Sequence, residues 1–270
     1  MIALSVNLNK IALLRNSRTG NNPNVLAFAQ SAIENGARGI TVHPRPDGRH
    51  IRDQDVSQLA ALILEHNSRI DSELDTLSRN QIEFNIEGNP FAPPSSQDQS
   101  GYSAYRGLLE YAKVFRPDQV TLVPDGDAQL TSDHGFDLTQ DAERISPIVQ
   151  SFKDLGVRVS LFMDPDIEQI KLCKSVGADR IELYTGPYAW APTPALAEEL
   201  YKKHHEAAVF AQNEGLGVNA GHDLDLDNLQ RYRNLPGLAE VSIGHGITVD
   251  ALRYGWENCI AKYVEVLKIP

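Results

Sequence analysis

The sequence has little cysteine and no long hydrophobic run. Cys173 and Cys259 are the two cysteines in 270 residues, and neither has a close cysteine partner or the spacing of a zinc site. We interpret both as reduced, partly buried small hydrophobic residues. No segment approaches the ~20 apolar residues of a membrane-spanning helix, and the opening "MIALSVNLNK" lacks the features of a signal peptide. A cytoplasmic protein with no membrane contact is therefore expected.

Positive charge is also scarce. Lysine and arginine number 25 against 36 aspartates and glutamates, which gives a formal net charge of -11. Proteins that bind nucleic acid need clustered Lys and Arg and a positive electrostatic potential that attracts phosphates. The negative net charge therefore argues against nucleic acid as the main partner. Any basic site must be local. The hydrophobic fraction of 41% and the charged fraction of 23% are ordinary for a globular protein.

The sequence lacks the glycine-rich motif G-x-G-x-x-G of dinucleotide-binding sheets. Instead, eight short apolar runs alternate with stretches of helical periodicity, such as residues 25–35, 102–115, 142–155 and 194–214. The predicted strands are residues 4–8, 39–43, 83–87, 119–124, 158–163, 180–185, 217–221 and 240–244. A glycine repeatedly precedes a strand, as in "ENGARGITV" and "DLGVRVSLF", where it can end the preceding helix in the left-handed conformation. This order favours a (β/α)8 TIM barrel, formed by residues 1–270 as one domain, over a doubly wound sheet.

Two segments exceed a minimal barrel. Residues 66–82 are expected to lengthen the second helix or to add another, and residues 89–100 form a Pro/Ser-rich loop after the third strand.

Polar residues follow the predicted strands. In a TIM barrel the carboxyl ends of the strands meet at the face where active sites lie. The residues at or just after these ends are Asn7, Asn9, His43, Glu87, Asp125, Asp164, Glu182, His222 and His245. We therefore expect them to gather around one site.

Several basic residues follow the first two strands. His43 ends the second strand of "ITVHPRPDGRHI", and a local basic rim is predicted from Arg45, Arg49 and His50 with Lys10, Arg15 and Arg18. Arginine forms bidentate bonds to phosphate and carboxylate, so the rim suggests a small phosphorylated or carboxylated metabolite. The alternative is that individual arginines pair with the nearby Asp47, Asp53 or Asp55.

Glu87, Glu182 and His222 are candidate proton-transfer groups, and His245 lies at a candidate phosphate site. Burial of Glu87 at the end of "EFNIEG" would raise its pKa toward neutrality, as a general acid or base requires. Glu182 in "RIELYTG" fits a functional and a structural role equally well. His222 and His245 each follow a glycine, in "VNAGHD" and "VSIGHG", after the strands where this fold often binds phosphate. Gly244 and His245 precede a helix whose N-terminus can bind an anion.

With these residues placed, the sequence resembles the pyridoxine 5'-phosphate synthase family of vitamin B6 biosynthesis. The resemblance covers nearly the whole chain and is densest in "VNLNKIALLRNSR", "GITVHPRPDGRHI", "NIEG", "IELYTGPYA", "VNAGHDL" and "IGHGI". It implies a (β/α)8 barrel with additional helices, assembled as a homo-octamer built from dimers. It also implies condensation of 1-deoxy-D-xylulose 5-phosphate with 3-amino-2-oxopropyl phosphate, with release of phosphate and water. No metal or organic cofactor is implied.

The resemblance also implies roles for individual residues. His43 and Glu87 match general bases, His222 matches the acid, and Glu182 matches a carboxylate that stabilises a cationic intermediate. Arg45, His50 and Thr131 match contacts to the deoxyxylulose phosphate, whereas Asn7, Arg18, Gly244 and His245 match contacts to the aminoketone phosphate.

Three positions depart from the family pattern. The phrase N-x-D-H of the family is here Asn7-Leu8-Asn9-Lys10, and the glycine that usually follows "NAGH" is Asp223. Asn9 and Lys10 still offer hydrogen bonds and positive charge for substrate binding. Asp223 is expected to place a negative charge close to a bound phosphate.

Three other functions are compatible with the same residues. A paralogue could bind a phosphorylated metabolite without turnover. A protein that only binds would not need the three proton-transfer groups His43, Glu87 and His222. A metal-dependent barrel isomerase or hydrolase could use Glu87, Glu182, His222 and His245 as ligands. A Schiff-base aldolase would use Lys10, which lies past the end of its strand.

Overall fold

Eight parallel strands form a closed barrel in the computed structural model, which describes residues 1–72, 81–96, 104–126 and 129–268. Each strand pairs with its neighbours in chain order, and β1 closes the barrel on β8. The strands are β1 Ala3–Asn7, β2 Gly39–Val42, β3 Glu83–Gly88, β4 Gln119–Leu122, β5 Arg158–Met163, β6 Arg180–Tyr184, β7 Gly217–Gly221 and β8 Leu238–Ile243. The predicted (β/α)8 TIM barrel is confirmed, and every predicted strand agrees with its observed bounds to within two residues.

Helices surround the barrel and include more than one per strand in places. They are α1 Asn9–Asn16, α2 Val25–Glu34, α3 Asp53–Ser72, α4 Leu108–Phe115, α5 Leu138–Asp154, α6 Ile167–Ser175, α7 Gly186–Ala189, α8 Pro194–Asn213, α9 Leu229–Tyr232, α10 His245–Tyr254 and α11 Trp256–Val266. None of these described helices is both long and apolar enough to cross a membrane.

The helix predicted over residues 102–115 is wrong in its first half. Helix α4 begins at Leu108, after Gly107 with φ of 86°. Before it, Tyr105 pairs with Ser95 as an antiparallel bridge, with N–H···O=C distances of 2.8 and 2.9 Å in the two directions. This pairing satisfies backbone groups that a helix would otherwise use. Residues 102 and 103 lie outside the described part of the chain.

The two segments beyond a minimal barrel are partly described. Helix α3 continues through residues 66–72, so the first part of this segment lengthens the helix that follows the second strand. The side chain of Asn67 exchanges two hydrogen bonds with the backbone of Ile82, at 2.9 and 3.0 Å, which ties α3 to the start of β3. Residues 73–80, and residues 97–100 of the Pro/Ser-rich loop, lie outside the described residues.

The glycines before five strands have the expected conformation. Gly36, Gly156, Gly177, Gly215 and Gly237 all have positive φ, between 65° and 101°. This region is open to glycine without the steric cost that a β-carbon brings. Each of these glycines therefore turns the chain into the following strand.

The alternation of side chains inside the barrel explains why the strand ends share one mouth. Ser5 and Thr41 point inward and their hydroxyls lie 2.7 Å apart, and the Asn85 amide lies 3.1 Å from the Thr121 hydroxyl. Side chains two residues further along a strand point the same way. Asn7, His43 and Glu87 each follow one of these inward residues by two positions, so they meet one layer higher.

Candidate active site

A single cavity at the carboxyl ends of the strands brings together thirteen of the fourteen predicted site residues. Those lining it are Asn7, Asn9, Lys10, His43, Arg45, His50, Glu87, Thr131, Glu182, His222, Asp223, Gly244 and His245. They come from the ends of seven of the eight strands or from the loops after them, and they span more than two hundred positions of the chain, so only closure of the barrel places them side by side.

Two arginines of the predicted basic rim do not line this cavity. Helix α1 begins at Asn9, so Lys10 and Arg15 lie on a helix and not in a loop. Arg15 is buried and forms a 2.5 Å ion pair with Asp55, which is the structural alternative considered for these arginines. Arg18 follows the end of α1, is exposed, and donates to the carbonyl of Ser17. Lys10, Arg45, Arg49 and His50 form the basic side of the cavity.

Glu87 is a buried carboxyl at the centre of the cavity. Asn7 donates to it at 3.1 Å, and the Ser242 hydroxyl donates at 3.5 Å. Burial, followed by the nearby charge of Asp125, raises the pKa of Glu87 from 4.5 to about 8. The direction of this shift is the one expected from the sequence for a buried Glu87. The raised pKa therefore favours the protonated carboxyl of Glu87 near neutral pH.

Glu182 lies beside Glu87 and is equally buried. Its pKa is raised well above the ordinary value, first by burial and then by the charge of Glu87. Thr121 donates to it at 3.3 Å. A β-carbon on Gly221 would lie 2.1 Å from an oxygen of Glu182, so glycine at this position makes room for the carboxyl. Two such close carboxyls disfavour simultaneous ionisation.

His43 and His50 are neutral neighbours on the basic side. Their ring centroids are 6.0 Å apart. Burial is the main cause that lowers the pKa of each to about 3, and the charges of Arg45 and Arg49 add to it. Nδ1 of His50 accepts from the backbone N–H of Ile51 at 3.0 Å, so the ring carries its proton on Nε2. The lowered pKa therefore favours the neutral imidazole of His43 near pH 7.

Asn9 fixes the backbone at His43. The side-chain oxygen of Asn9 accepts a hydrogen bond from the backbone N–H of His43 at 2.9 Å. The backbone N–H of Asn9 donates to the side-chain oxygen of Asn7 at 3.0 Å. An amide oxygen accepts these bonds as a carboxylate would. Asn9 therefore makes a contact that positions the backbone of His43.

The arginines of the β2–α3 loop are paired with aspartates. Arg45 donates to Asp125 at 2.8 Å, and the two side chains are 6% and 2% exposed. Arg49 pairs with Asp47, and both are about a quarter exposed, at 25% and 27%. The other oxygen of Asp125, Oδ1, is buried and has no hydrogen-bond partner among the described residues. Asp125 therefore holds Arg45 in place through its other oxygen, Oδ2.

His222 lines the cavity from the end of β7 and has two side-chain partners. Its Nε2 is 2.8 Å from the hydroxyl of Thr131, and its Nδ1 is 2.5 Å from a carboxylate oxygen of Asp223. We expected Asp223 to face a bound phosphate, whereas the structure directs its carboxylate to His222.

Gly244 and His245 begin helix α10 as expected. Gly244 is the N-cap of this ten-residue helix, and no side chain caps it within the described part of the chain. A β-carbon on Gly244 would lie 3.1 Å from Cβ of Asn7, so the helix start is packed against the end of β1. Free N–H groups at such an N-terminus attract anions.

Seven residues of the cavity lining were not assigned a role from the sequence, among them Asp125, Phe162 and Ser242. Asp125 was recognised as a strand-end residue, whereas Ser242 and Phe162 were not singled out. Ser242 could have been found because it precedes Gly244 by two positions and so points to the same face of β8. Asp164, by contrast, does not line the cavity, and its carboxylate accepts from the backbone N–H of Gly135 at 3.1 Å.

The possible metal ligands do not form a ready site. Among residues 1–72, 81–96, 104–126 and 129–268, no three His, Cys, Asp or Glu side chains are grouped closely enough to hold an ion. Glu87 and Glu182 bond instead to Asn7, Ser242 and Thr121.

The chain is similar to proteins of one enzyme family along its whole length. A profile of the family described as "Pyridoxal phosphate biosynthesis protein PdxJ" matches residues 4–269. A pyridoxine 5'-phosphate synthase from Xanthomonas axonopodis pv. citri (strain 306) is 50% identical over 266 residues, covering 98% of this chain and 96% of that protein. Another from Xanthomonas oryzae pv. oryzae (strain MAFF 311018) is 49% identical over 268 residues, covering 99% and 97%.

Solved structures show the same fold at low sequence identity. A 3-keto-L-gulonate-6-phosphate decarboxylase from Vibrio cholerae O1 biovar El Tor str. N16961 superposes with a TM-score of 0.58 at 9% identity, covering 98% of this chain and 97% of that one. This likeness concerns the barrel alone.

Proposed function

The chain belongs to the PdxJ family of pyridoxal phosphate biosynthesis proteins, and we propose that it is a pyridoxine 5'-phosphate synthase. It condenses 1-deoxy-D-xylulose 5-phosphate with 3-amino-2-oxopropyl phosphate and releases phosphate and water. The observation that carries the proposal is the meeting of His43, Glu87 and His222 in one cavity, between two sides suited to anions.

The aminoketone phosphate binds on the β1–β8 side. Asn7 and Gly244 are packed together here, and the uncapped start of α10 provides N–H groups for the phosphate. Asn7 also donates to Glu87, so the amine of this substrate lies near the two buried carboxyls. An ammonium group there lowers the pKa of Glu87 and lets it ionise, which makes it a base for the bound substrate.

The deoxyxylulose phosphate binds on the basic side. Lys10, Arg45 and His50 line this side and supply positive charge and N–H donors to its phosphate. Thr131, which contacts His222 at 2.8 Å, links this substrate to the second histidine.

The proton transfers follow from these positions. Neutral His43 removes a proton beside the carbonyl of the sugar phosphate, and Glu87 does so on the aminoketone side. His222 protonates the departing group. Glu182 stabilises positive charge on the intermediate, because a buried carboxylate next to a cation gains strong electrostatic attraction.

The product assay tests this assignment. Purified protein is incubated with both substrates while fluorescence of the pyridine product and release of inorganic phosphate are followed together. Equal amounts of both products are expected, and E87Q provides the inactive control. Binding of either substrate without product would contradict the synthase and support the non-catalytic paralogue.

The two other enzyme classes are separated by the same preparation. A metal-dependent isomerase would lose activity on chelation and regain it with a divalent metal. An aldolase using Lys10 would be labelled by borohydride in the presence of substrate. The synthase is expected to be unaffected by chelation and unlabelled at Lys10.

We further propose that residues 1–270 act as one domain in a cytoplasmic homo-octamer built from dimers. Light scattering coupled to size exclusion tests the assembly, with a mass of eight chains expected. A stable mass of one or two chains would contradict it.

A further inference from the structure

The loop after β7 has an unusual backbone at two consecutive residues. His222 and Asp223 both lie in the left-handed region, with φ of 82° and 59°. Thr185 anchors the loop because its hydroxyl lies 2.7 Å from the carbonyl oxygen of Gly221 and close to that of His222. Asn228 donates to the carbonyl of Asp223 at 3.3 Å. The backbone is therefore held so that both side chains turn back toward each other.

The bond between these side chains defines one nitrogen of the imidazole. Oδ2 of Asp223 is 2.5 Å from Nδ1 of His222, and the two side chains are 9% and 19% exposed. An ionised carboxylate can only accept a hydrogen bond. The proton of this bond therefore belongs to Nδ1.

The other nitrogen and the ring edges are also constrained. Nε2 is 2.8 Å from the Thr131 hydroxyl, which can donate to it when the ring is neutral. The ring meets Tyr184 edge-on at 5.3 Å between centroids and Trp190 at 6.2 Å. His222 thus has one orientation in which Nδ1 faces Asp223 and Nε2 faces the cavity.

We propose that Asp223 is a positioning residue that keeps the His222 proton on Nδ1 and leaves Nε2 to exchange protons with the substrate. When Nε2 takes up a proton, the carboxylate stabilises the imidazolium, which then gives that proton to the departing group. The proposal rests on the role of His222 in the proposed function. It replaces the expectation that Asp223 contacts a phosphate, because its carboxylate is already engaged by the ring.

The experiment uses D223G, since glycine suits φ of 59° and leaves room for a small anion beside Nδ1. We expect kcat to fall about 10- to 100-fold, which is the usual cost of losing a partner that orients a functional imidazole, with both KM values within about twofold of the wild type. Added formate should restore activity in proportion to its occupancy, whereas chloride at equal ionic strength should not. D225N is the matched control, because Asp225 lies in the same loop and bonds Asn228 and not His222.

Solid-state nitrogen NMR of protein labelled at histidine measures the tautomer independently of turnover, with the His222 signal identified by its loss in H222Q. A protonated Nδ1 in the wild type that is lost in D223G would support the proposal. Three results would overturn the proposal. They are a D223G protein with unchanged tautomer and unchanged kcat, a wild-type His222 proton confined to Nε2, and a D223G protein in which KM alone changes. Failure of the proposed function would instead appear as a wild-type protein that forms no product, while the tautomer measurement still decides the role of Asp223.

Discussion

The β2–α3 loop and the loop after β7 each present a histidine to the same cavity, in opposite electrostatic surroundings. His43 is buried beside Arg45 and Arg49, and its pKa is lowered to about 3. His222 is more exposed and bonds a carboxylate through Nδ1. The same side chain therefore has different neighbours in the two loops, and this difference matches the base role proposed for His43 and the acid role proposed for His222. The neighbours of each imidazole, more than its place in the barrel, determine its chemistry.

The largest effect is expected from removal of either histidine. H43Q and H222Q should each lower kcat about 10²- to 10⁴-fold, because both remove a positioned proton-transfer group. H134Q, an exposed histidine that does not line the cavity, serves as the control. Steady-state product formation measures all three. If H43Q lost no more activity than H134Q, the two loops would not divide the acid and base roles as described.

A large stability effect is expected in the β2–α3 loop when the buried pair is broken. D125N should lower the free energy of unfolding by about 3 kcal/mol, because it leaves the guanidinium of Arg45 buried without its counter-charge. Urea unfolding at a fixed protein concentration measures the change. A loss below 1 kcal/mol, about what an exposed pair contributes, would show that Arg45 is effectively solvated.

The pH dependence of stability sharpens the contrast between His43 and Glu87. His43 titrates at 6.5 when unfolded and about 3 when folded, so stability falls as pH decreases through that interval. The pKa of Glu87 rises from 4.5 to about 8 on folding, so stability falls as pH increases between those values. H43Q should flatten the acidic limb of a stability profile and E87Q the alkaline limb. Identical limbs in wild type and variants would contradict the assigned pKa shifts.

The smallest effect is expected from the exposed ion pair of the same loop. D47N removes the carboxylate beside Arg49, whose side chain is 25% exposed and also donates to the backbone carbonyls of Gln129 and Leu130, and should cost less than about 1 kcal/mol in unfolding free energy. The same urea titration compares it directly with D125N. Equal losses from D47N and D125N would mean that burial does not separate the two pairs.

Much of the fold could be predicted because its signals are local. The strand bounds follow from short apolar runs, and the glycines before them, such as Gly156 and Gly215, have the left-handed conformation that the pattern predicts. The helix over residues 102–115 could not be predicted correctly, since the pairing of Tyr105 with Ser95 is a contact across a loop. Helical periodicity alone does not show such a competing partner.

The candidate site was predictable in membership but not in detail. Parallel strands in a closed barrel must bring their carboxyl ends to one face, so His43, Glu87 and His222 could be grouped from their positions alone. Which arginines reach the cavity could not be read in the same way. Arg15 and Arg45 both follow strands, but Arg15 is drawn to Asp55 and Arg45 to Asp125.

The sequence by itself determined the barrel, the strand ends and the residues available for chemistry, because hydrophobic period and turn residues act over a few neighbouring positions. Only the tertiary structure decided the pKa shifts and the hydrogen-bond partners. Examples are the lowered pKa of His43, the raised pKa of Glu87 and the hydrogen bond between Asp223 and His222. These depend on burial and on charges contributed by distant segments, and both arise only when the barrel closes.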